Sequence, residues 1–480
     1  MKSLWWRSLM CLTLAVSTAC AEDAKLVWPS GELSAHAQAW FEQLHGDDAA
    51  ARAFFATHMA PNGVPIETRL ERRRGMLEQA GVLVPLRILD SGPTSMRVRV
   101  RTGKGEVAVA TIQGELDSPH RMLGVRIELG EDTDGGPGGP GPRGPRLTDA
   151  KAVEQITGQL NSSTQAGSFS GAVLLARGGK PLLEHAWGEA DRAKHLTNTT
   201  TTRFNLGSIG KIFTRTALAQ LAEAKKLSLD DKLSRYLPDF PHADEITLAM
   251  LAAHRSGVGD FFNDAYDKAD RSKLRHNRDY LALIRDQPLW FPPGSQMRYS
   301  NGGYVLLGEV IAKASGEDYY DYLERHVFAP AGMKSTSAAI EGDGTPGVAR
   351  GYTTEGAKRG ERVDNASTRP ARGSAAGGSY STLRDLFAFD QALLGAKLAG
   401  TEWSNWVVGG PRPDPRVAAP ASGPGSFGFA GGAPGISSEW LHEGDCTLIV
   451  LTNLDPSTTK AAIVPLRNIV QRMSPPAQSP

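Results

Sequence analysis

Cysteine and net charge are both scarce in this 480-residue sequence. Its 53 Lys and Arg residues are balanced by 52 Asp and Glu residues, a formal net charge of +1. That balance excludes the strong uniform field of proteins that attract nucleic acid or anionic membranes through bulk charge. Of the three cysteines, Cys11 and Cys20 lie in an N-terminal leader, so Cys446 remains alone and an intrachain disulfide is excluded. We therefore expect no nucleic-acid partner and no disulfide support.

Clusters of metal ligands are lacking as well, because the 11 His residues show no ligand-like spacing. We predict no metal ion and no cofactor. Cys446 is the first residue of the apolar run 446–451, which is typical of a buried strand. We therefore expect Cys446 to pack in the core.

One short apolar run, residues 9–16, stands near the N-terminus behind two basic residues and ahead of Ala-Cys-Ala at 19–21. This pattern is typical of a secretory signal peptide, here residues 1–21, and the run is too short to span a bilayer. We expect export to the periplasm or the medium. Two alternatives stay open: an uncleaved first helix that anchors the protein, and a lipoprotein modified on Cys20, for which the membrane would be a partner.

Composition divides the remaining chain into two domains. Residues 131–146 are rich in Gly and Pro and are predicted to be a linker. Upstream, residues 22–130 form a small α+β domain; downstream, residues 147–472 form the larger unit, and residues 473–480 are a Pro-rich tail. The small domain is predicted to contain helices over 33–44, 49–58 and 65–80, followed by strands within 82–128.

The small domain resembles the cone-shaped domains of the nuclear transport factor type in the order and size of its elements. Residues 96–101 alternate apolar residues with arginines, so the apolar side can face the helices while the arginines point to solvent. We find no catalytic constellation in this domain.

Both ends of the larger domain carry strand patterns. A helix over 148–160 precedes a hairpin whose strands, 171–176 and 182–187, flank two glycines. A strand over 448–452 and a helix over 461–473 close the domain. The predicted fold class is α+β, with one sheet built from both ends and a helical insertion between them.

The segment Ser208-Ile209-Gly210-Lys211 places a hydroxyl and an amine three residues apart, ahead of apolar positions spaced as on a helix. Ser208 is predicted near the N-terminus of that helix, where free N–H groups and the macrodipole favour developing negative charge. Lys211 could take the hydroxyl proton or hold a neighbouring base in its anionic form. The spacing alone is common, so it indicates catalysis only together with further motifs.

A second motif, Tyr299-Ser300-Asn301, follows a Pro-Pro-Gly turn and precedes a helical run. Two more stretches follow the same order, His254-Arg255-Ser256-Gly257 and the Gly-Gly-x-x-Ser-Thr pattern at 377–382. Together these motifs resemble the serine β-lactamase and penicillin-binding superfamily, in its class C-like branch, over about 320 residues. The resemblance implies an antiparallel sheet flanked by helices, an all-helical subdomain, and an active site between them.

The resemblance also implies catalytic or structural roles for individual residues. Ser208 would be the nucleophile that forms an acyl-enzyme, Lys211 its proton partner, and Tyr299 the general base, a phenolate stabilised by the lysine charge. Asn301 would hydrogen-bond Lys211 or the substrate amide. His254 would begin a structural turn and would not serve as the base of a Ser-His pair.

The third motif departs from the family pattern. The family has Lys-Thr-Gly or His-x-Gly on the strand beside the site, whereas here Phe429 takes the cationic or imidazole position. Gly431 and Gly432 remain, so a backbone N–H near Gly432 could pair with that of Ser208 as an oxyanion hole. Phe429 favours neutral acyl substrates. His442, on the next hairpin, could restore a charge, but we expect it in an exposed loop.

The sequence thus predicts an exported serine hydrolase acting on a small-molecule or peptide acyl substrate, most simply an ester or amide. One alternative is a penicillin-binding protein, D-amino-acid peptidase or β-lactamase. Another is a binding protein whose catalysis is impaired by Phe429. The sequence leaves the oligomeric state open.

Overall fold

The computed structural model describes residues 26–60, 66–92, 95–115, 119–129, 145–338, 347–358, 361–413 and 424–473. The predicted signal peptide with Cys20, most of the linker and nearly all of the tail lie outside the described residues. The chain separates into two units, Met1–Pro140 and Gly141–Pro480, and the division falls within the Gly/Pro-rich stretch.

The N-terminal unit is a four-stranded antiparallel sheet, in the order β1-β2-β3-β4, preceded by three helices. Its elements are α1 (Glu32–Gln43), α2 (Asp48–His58), α3 (Ile66–Ala80), β1 (Val84–Ser91), β2 (Ser95–Arg101), β3 (Val107–Gly114) and β4 (Met122–Leu129). Met96, Val98 and Val100 are fully buried against the helices, as the alternation along β2 predicts. The resemblance to the transport-factor cone remains a prediction.

A five-stranded antiparallel sheet, in the order β13-β14-β15-β5-β6, organises the second unit and confirms that both ends of the domain build one sheet. Its strands are β5 (Gly171–Arg177), β6 (Lys180–Trp187), β13 (Phe427–Ala433), β14 (Ile436–Glu443) and β15 (Cys446–Thr452). Three two-stranded pairings, β7-β8, β9-β12 and β10-β11, add the short strands β7 (Glu189–Asp191), β8 (Leu196–Thr197), β9 (Phe204–Asn205), β10 (Tyr352–Thr353), β11 (Val363–Asp364) and β12 (Tyr380–Ser381).

Helices of the second unit cover both faces of this sheet, and others pack mainly against one another. They are α4 (Asp149–Gln165), α5 (Lys211–Glu223), α6 (Leu248–Ala252), α7 (Asp264–Lys268), α8 (Leu281–Ile284), α9 (Asn301–Ser315), α10 (Tyr319–Tyr322), α11 (Ala329–Ala331), α12 (Leu383–Leu394), α13 (Thr401–Val407) and α14 (Pro456–Met473). Short 3-10 turns occupy Gly207–Gly210, Leu233–Arg235, Arg271–Lys273, Asn277–Tyr280 and Ala366–Thr368, and a π-helical turn occupies Leu323–Phe328. Within the described ranges, we find no helix with the length and apolar character that a bilayer span requires.

Strand β15 is buried along its whole length because both of its faces are covered. Cys446, Leu448 and Val450 point to one face, where they pack with α4 and α14. Ile449 and Leu451 point to the other, into the larger core shared with α5, α9 and α12. The sheet is therefore the middle of three layers, which explains the uninterrupted apolar run. The core position expected for Cys446 is confirmed.

Several predicted boundaries needed correction. Helix α4 continues to Gln165, five residues beyond its predicted end. The last helix begins at Pro456, five residues before the predicted start, because a proline is well tolerated in the first turn, where its missing N–H has no partner to lose. Helix α5 begins at Lys211, and Ser208 lies in the 3-10 turn ahead of it. Periodicity could not separate this turn from the helix, because both place residues three apart on the same side.

Candidate active site

Ser208 lies in the turn Gly207–Gly210, where two other segments meet the backbone. Gly207 has φ +51°, and a Cβ at this position would lie 2.9 Å from the nitrogen of Gly432 on β13. A Cβ on Gly377 would lie 2.4 Å from the carbonyl oxygen of Gly207. Only glycine permits such close approach. The turn of Ser208 is thus held between β13 and the Gly-Gly-x-x-Ser-Thr segment.

Lys211 is buried directly behind Ser208, with 7% of its surface exposed. Its Nζ donates to Asn301 Oδ1 at 2.6 Å, to the carbonyl of Ala376, and to Ser208 Oγ at 3.4 Å. Burial lowers the pKa of Lys211 to about 7, against the opposing effect of the Asp260 carboxylate. Near neutral pH this amine can therefore lose its proton and act as a base.

Tyr299 approaches Ser208 from the other side. Its hydroxyl donates to Ser208 Oγ at 2.7 Å, and the Lys211 Nζ lies 4.7 Å from the centre of its ring. Although 46% of the residue is exposed, burial around the hydroxyl raises the pKa of Tyr299 to about 12. The resting site therefore keeps the proton on Tyr299, in contrast to the expected phenolate, because burial disfavours the charged form.

Asn301 is the first residue of α9, behind the cap formed by Ser300 Oγ, which accepts from the N–H of Gly303. Its side chain and its backbone N–H both donate to Asp260 Oδ2, each at 2.9 Å. The amide oxygen is thereby turned to Lys211, which is the contact that the sequence predicted. The sequence analysis did not identify Asp260, although this residue lies three positions after the His-x-Ser-Gly turn that belongs to the family motifs.

Replacing Asp260 by asparagine tests this arrangement. We expect Asp260→Asn to preserve an acceptor for Asn301 but to remove the charge that favours the protonated form of Lys211. If the neutral amine is the active form, kcat/KM rises as pH increases through about 7 in the wild type, since that is the pKa of Lys211. In the variant this rise should move to lower pH. An unchanged or upward-shifted inflection in the kcat/KM profile would contradict the coupling.

His254 supports the tyrosine segment instead of meeting Ser208 as a base. Its Nδ1 accepts from the N–H of Ser300 at 3.2 Å, and its ring centre lies 4.5 Å from that of Tyr299. Burial lowers the pKa of His254 to about 4, so the ring is neutral at physiological pH. Its place agrees with the structural role that the resemblance implied.

Strand β13 brings its glycines to the site, whereas Phe429 on the same strand does not line the cavity beside Ser208. A Cβ on Gly431 would lie 1.9 Å from the carbonyl oxygen of Leu206, so the strand passes directly against the serine turn. Phe429 is half-buried, with its ring centre 5.8 Å from that of Phe427 and 5.5 Å from that of Trp440. It packs against the larger core and is not among the residues that line the cavity beside Ser208.

His442 does not lie in an exposed loop, and this prediction was wrong. It is 7% exposed on β14, where its Nδ1 lies 3.0 Å from the hydroxyl of Thr447. The same hydroxyl donates to Asp390 Oδ2 at 2.9 Å, and Asp390 is fully buried. Residues in a hairpin alternate between faces, and the sequence did not reveal that this face carries a buried acid.

Gly431→Ala should test the contact between β13 and the serine turn. The added methyl group has no room beside Leu206, so β13 must shift, and Gly432 shifts with it. We expect kcat to fall by about 10²-fold or more, the scale of losing one oxyanion donor. Gly428→Ala on the same strand is the control, because its new Cβ meets Leu441 at an ordinary 3.5 Å. Equal activity of the two variants would argue against the contact.

A cavity of about 340 Å³ opens beside Ser208. Its walls come from the serine turn, the tyrosine motif, the Gly-rich segments and a group of aromatic rings. The lining residues include Asn205, Ser208, Phe261, Phe262, Tyr266, Tyr280, Tyr299, Asn301, Arg369, Gly377, Tyr380, Gly432 and Ile436. Gly432 thus lines the cavity beside Ser208, whereas Gly431, the residue before it on β13, contacts Leu206 and is not among the described residues that line the cavity.

The charge of this cavity comes from Arg369. Among the described residues that line it, Arg369 is the one Lys or Arg, and none is Asp or Glu. The guanidinium donates to the hydroxyl of Tyr380. The sequence analysis did not identify Arg369. It brings a positive charge to the cavity from a segment outside the third motif, where the family's cation is missing. In the parts of the chain that the structure describes, no group of three or more His, Cys, Asp or Glu side chains is placed to hold a metal ion.

Similar proteins were found by comparison of the sequence and of the fold. The family model described as Beta-lactamase matches residues 151–469. The putative penicillin-binding protein PbpX of Bacillus subtilis (strain 168) is 33% identical over 232 residues, which are 48% of this chain and 56% of PbpX. The chain thus spans little more than half of that relative.

Two solved structures share the fold. A penicillin-binding protein from Bacillus halodurans superposes with a TM-score of 0.56 at 28% identity, covering 64% of this chain and 99% of the other. A D-amino acid amidase from Ochrobactrum anthropi SV3 gives a TM-score of 0.56 at 26% identity, covering 67% and 98%. Since the family model covers about two thirds of the sequence and the solved folds agree with it, the chain belongs to the Beta-lactamase family.

Proposed function

We propose that the protein is a serine hydrolase that forms an acyl-enzyme at Ser208. The observation that carries this proposal is the pair of contacts on one hydroxyl: Ser208 Oγ accepts from Tyr299 at 2.7 Å and lies 3.4 Å from the Nζ of Lys211. A serine hydroxyl needs a base to become a strong nucleophile, and a lysine with a pKa of about 7 is such a base at neutral pH.

Acylation would begin when neutral Lys211 takes the proton of Ser208 and the Oγ attacks the carbonyl carbon. The N–H groups of Ser208 and Gly432 would stabilise the oxyanion, each contributing about 3 to 4 kcal/mol in comparable sites. Tyr299, which holds its proton, would donate it to the leaving group, and the lysine would restore it. Water would then attack the ester on Ser208, with the same groups removing its proton and returning one to the Oγ.

The charge of the site indicates the substrate class. Phe429 supplies no charge where the family has a cation, which favours a neutral ester or amide. A second candidate, a carboxylate-bearing peptide or β-lactam, is favoured by the positive charge that Arg369 brings to the cavity wall. The similarity to penicillin-binding proteins and to a D-amino acid amidase supports acyl chemistry in either case.

A substrate panel separates these candidates. Purified protein would be incubated with neutral esters, D-amino-acid amides and several β-lactams, and turnover and intact mass would be measured. Turnover of neutral esters without a penicilloyl adduct supports the first candidate, and a stable penicilloyl adduct supports the second. Inertness to every substrate and to fluorophosphonate would contradict the hydrolase proposal and favour the catalytically impaired binding protein.

Export is also a proposal. It is supported by the leader over residues 1–21, which lies outside the described residues. Mass spectrometry of protein purified from its host would show an N-terminus near residue 22, or a lipid on Cys20 in the lipoprotein alternative.

A further inference from the structure

Four aromatic rings form one wall of the cavity: Phe261, Phe262, Tyr266 and Tyr280. The centre of the Phe261 ring lies 4.4 Å from that of Phe262, 5.7 Å from that of Tyr266 and 4.8 Å from that of Tyr280. Phe262 and Tyr266 meet edge to face at 5.1 Å. These spacings are those of mutually stabilising aromatic pairs, so the wall is one packed cluster.

The two tyrosines of this wall direct their hydroxyls to the neighbouring backbone. Tyr266 donates to the carbonyl of Thr368 at 3.3 Å, and Tyr280 donates to the carbonyl of Arg372 at 3.2 Å. Hydroxyls engaged in this way hold the rings in place. The wall therefore offers mainly ring carbon to the cavity.

Phe262 differs from its neighbours in exposure. It is 57% exposed, whereas Phe261, Tyr266 and Tyr280 are each exposed by 5% or less. Its backbone is nevertheless fixed, because its N–H donates to Asp260 Oδ1 at 3.1 Å. The adjacent Asn263 caps α7 by accepting two backbone N–H groups. A large apolar ring is thus held at the cavity by an ordered backbone without being buried by folding.

We propose that Phe262 is a specificity-determining residue and that the site selects substrates carrying a planar aromatic group on either side of the scissile bond. This inference rests on the proposed hydrolase function. A substrate ring could extend the existing cluster with an offset or edge contact to Phe262. A saturated ring of similar size would gain burial in the cavity without that contact.

Two pairs of esters test the proposal: ethyl phenylacetate against ethyl cyclohexylacetate, and benzyl acetate against cyclohexylmethyl acetate. Each pair keeps the ester and the ring size and changes aromaticity. Hydrolysis would be followed by proton release, so no chromogenic aromatic group is added. The proteins compared are the wild type, Phe262→Ala, Phe262→Trp and the control Leu196→Ala, which removes an exposed apolar side chain from β8 outside the cavity lining.

We expect the wild type to prefer the aromatic member of at least one pair in kcat/KM, and Phe262→Ala to reduce that preference by about two- to tenfold. Phe262→Trp should keep it, and Leu196→Ala should match the wild type. Ester hydrolysis with no aromatic preference, or with a preference that Phe262→Ala leaves unchanged, would overturn this inference alone. No hydrolysis of any ester together with no fluorophosphonate labelling of Ser208 would overturn the hydrolase function, and this inference with it.

Discussion

Ser208→Ala is expected to abolish turnover, lowering kcat by about 10⁴-fold or more on whichever ester or amide the wild type hydrolyses. The reason is that the alanine has no group to form the acyl-enzyme, while Tyr299 and Lys211 remain without a partner to activate. Nucleophile deletions in comparable serine enzymes have effects of this size. Turnover would be measured at saturating substrate, with thermal unfolding recorded for each protein.

The control for this variant is Ser295→Ala, which removes an exposed hydroxyl that donates to the carbonyl of Pro292 and does not line the cavity. We expect it to keep wild-type kcat. If Ser208→Ala retained more than about a tenth of the wild-type rate while folding normally, Ser208 would not be the nucleophile.

Lys211→Met is expected to have the second largest effect, a fall in kcat of about 10³-fold, because general-base catalysis typically contributes 10² to 10⁴. Methionine keeps a similar length and apolar stem at a buried position but cannot accept a proton. The residual activity should also lose the rise with pH near 7 that the pKa of Lys211 sets. Both results come from one series of kcat measurements across pH.

Lys226→Met serves as the matched control, since this lysine is exposed just beyond the end of α5. It should keep the wild-type rate and pH profile. A Lys211→Met protein with a wild-type pH profile would show that another group titrates near pH 7, and the assignment of the base to Lys211 would fail.

The fold was predictable from sequence because its strongest signals are local. Apolar runs at 171–176 and 448–452 mark strands covered on both faces, and the sheet joins them through β15 and β5 as expected. The helix ends were less certain, since the turn of Ser208 and the first residues of α14 share the spacing of their neighbours. The periodicity of apolar residues therefore predicted the sheet and the helices that cover it, but not the residue at which every helix begins.

The candidate site was predictable only in part. Ser208, Lys211, Tyr299 and Asn301 lie together as the spacing and the resemblance indicated. Asp260 was missed because its importance comes from contacts across the chain and not from a local pattern. The same holds for the aromatic wall, whose members are spread from residue 261 to residue 280 and meet only in the folded protein.

Phe429 shows how a correct sequence observation can suggest a wrong location. The absence of a cation at that position is real, but the ring packs beside Trp440, while Arg369 brings positive charge to the cavity from a distant segment. A changed motif position shows which functional group is missing there. It does not identify the residue from another segment that lines the cavity instead.

Acid quenching during turnover tests the central claim most directly. Protein mixed with a hydrolysed ester would be stopped in acid within the first turnovers, digested, and examined by mass spectrometry for the acyl group. The account predicts that the acyl mass is found on Ser208 and that no such adduct forms in Ser208→Ala. An acyl group on another residue, or turnover with no covalent adduct under conditions where fluorophosphonate labels the protein elsewhere, would contradict it.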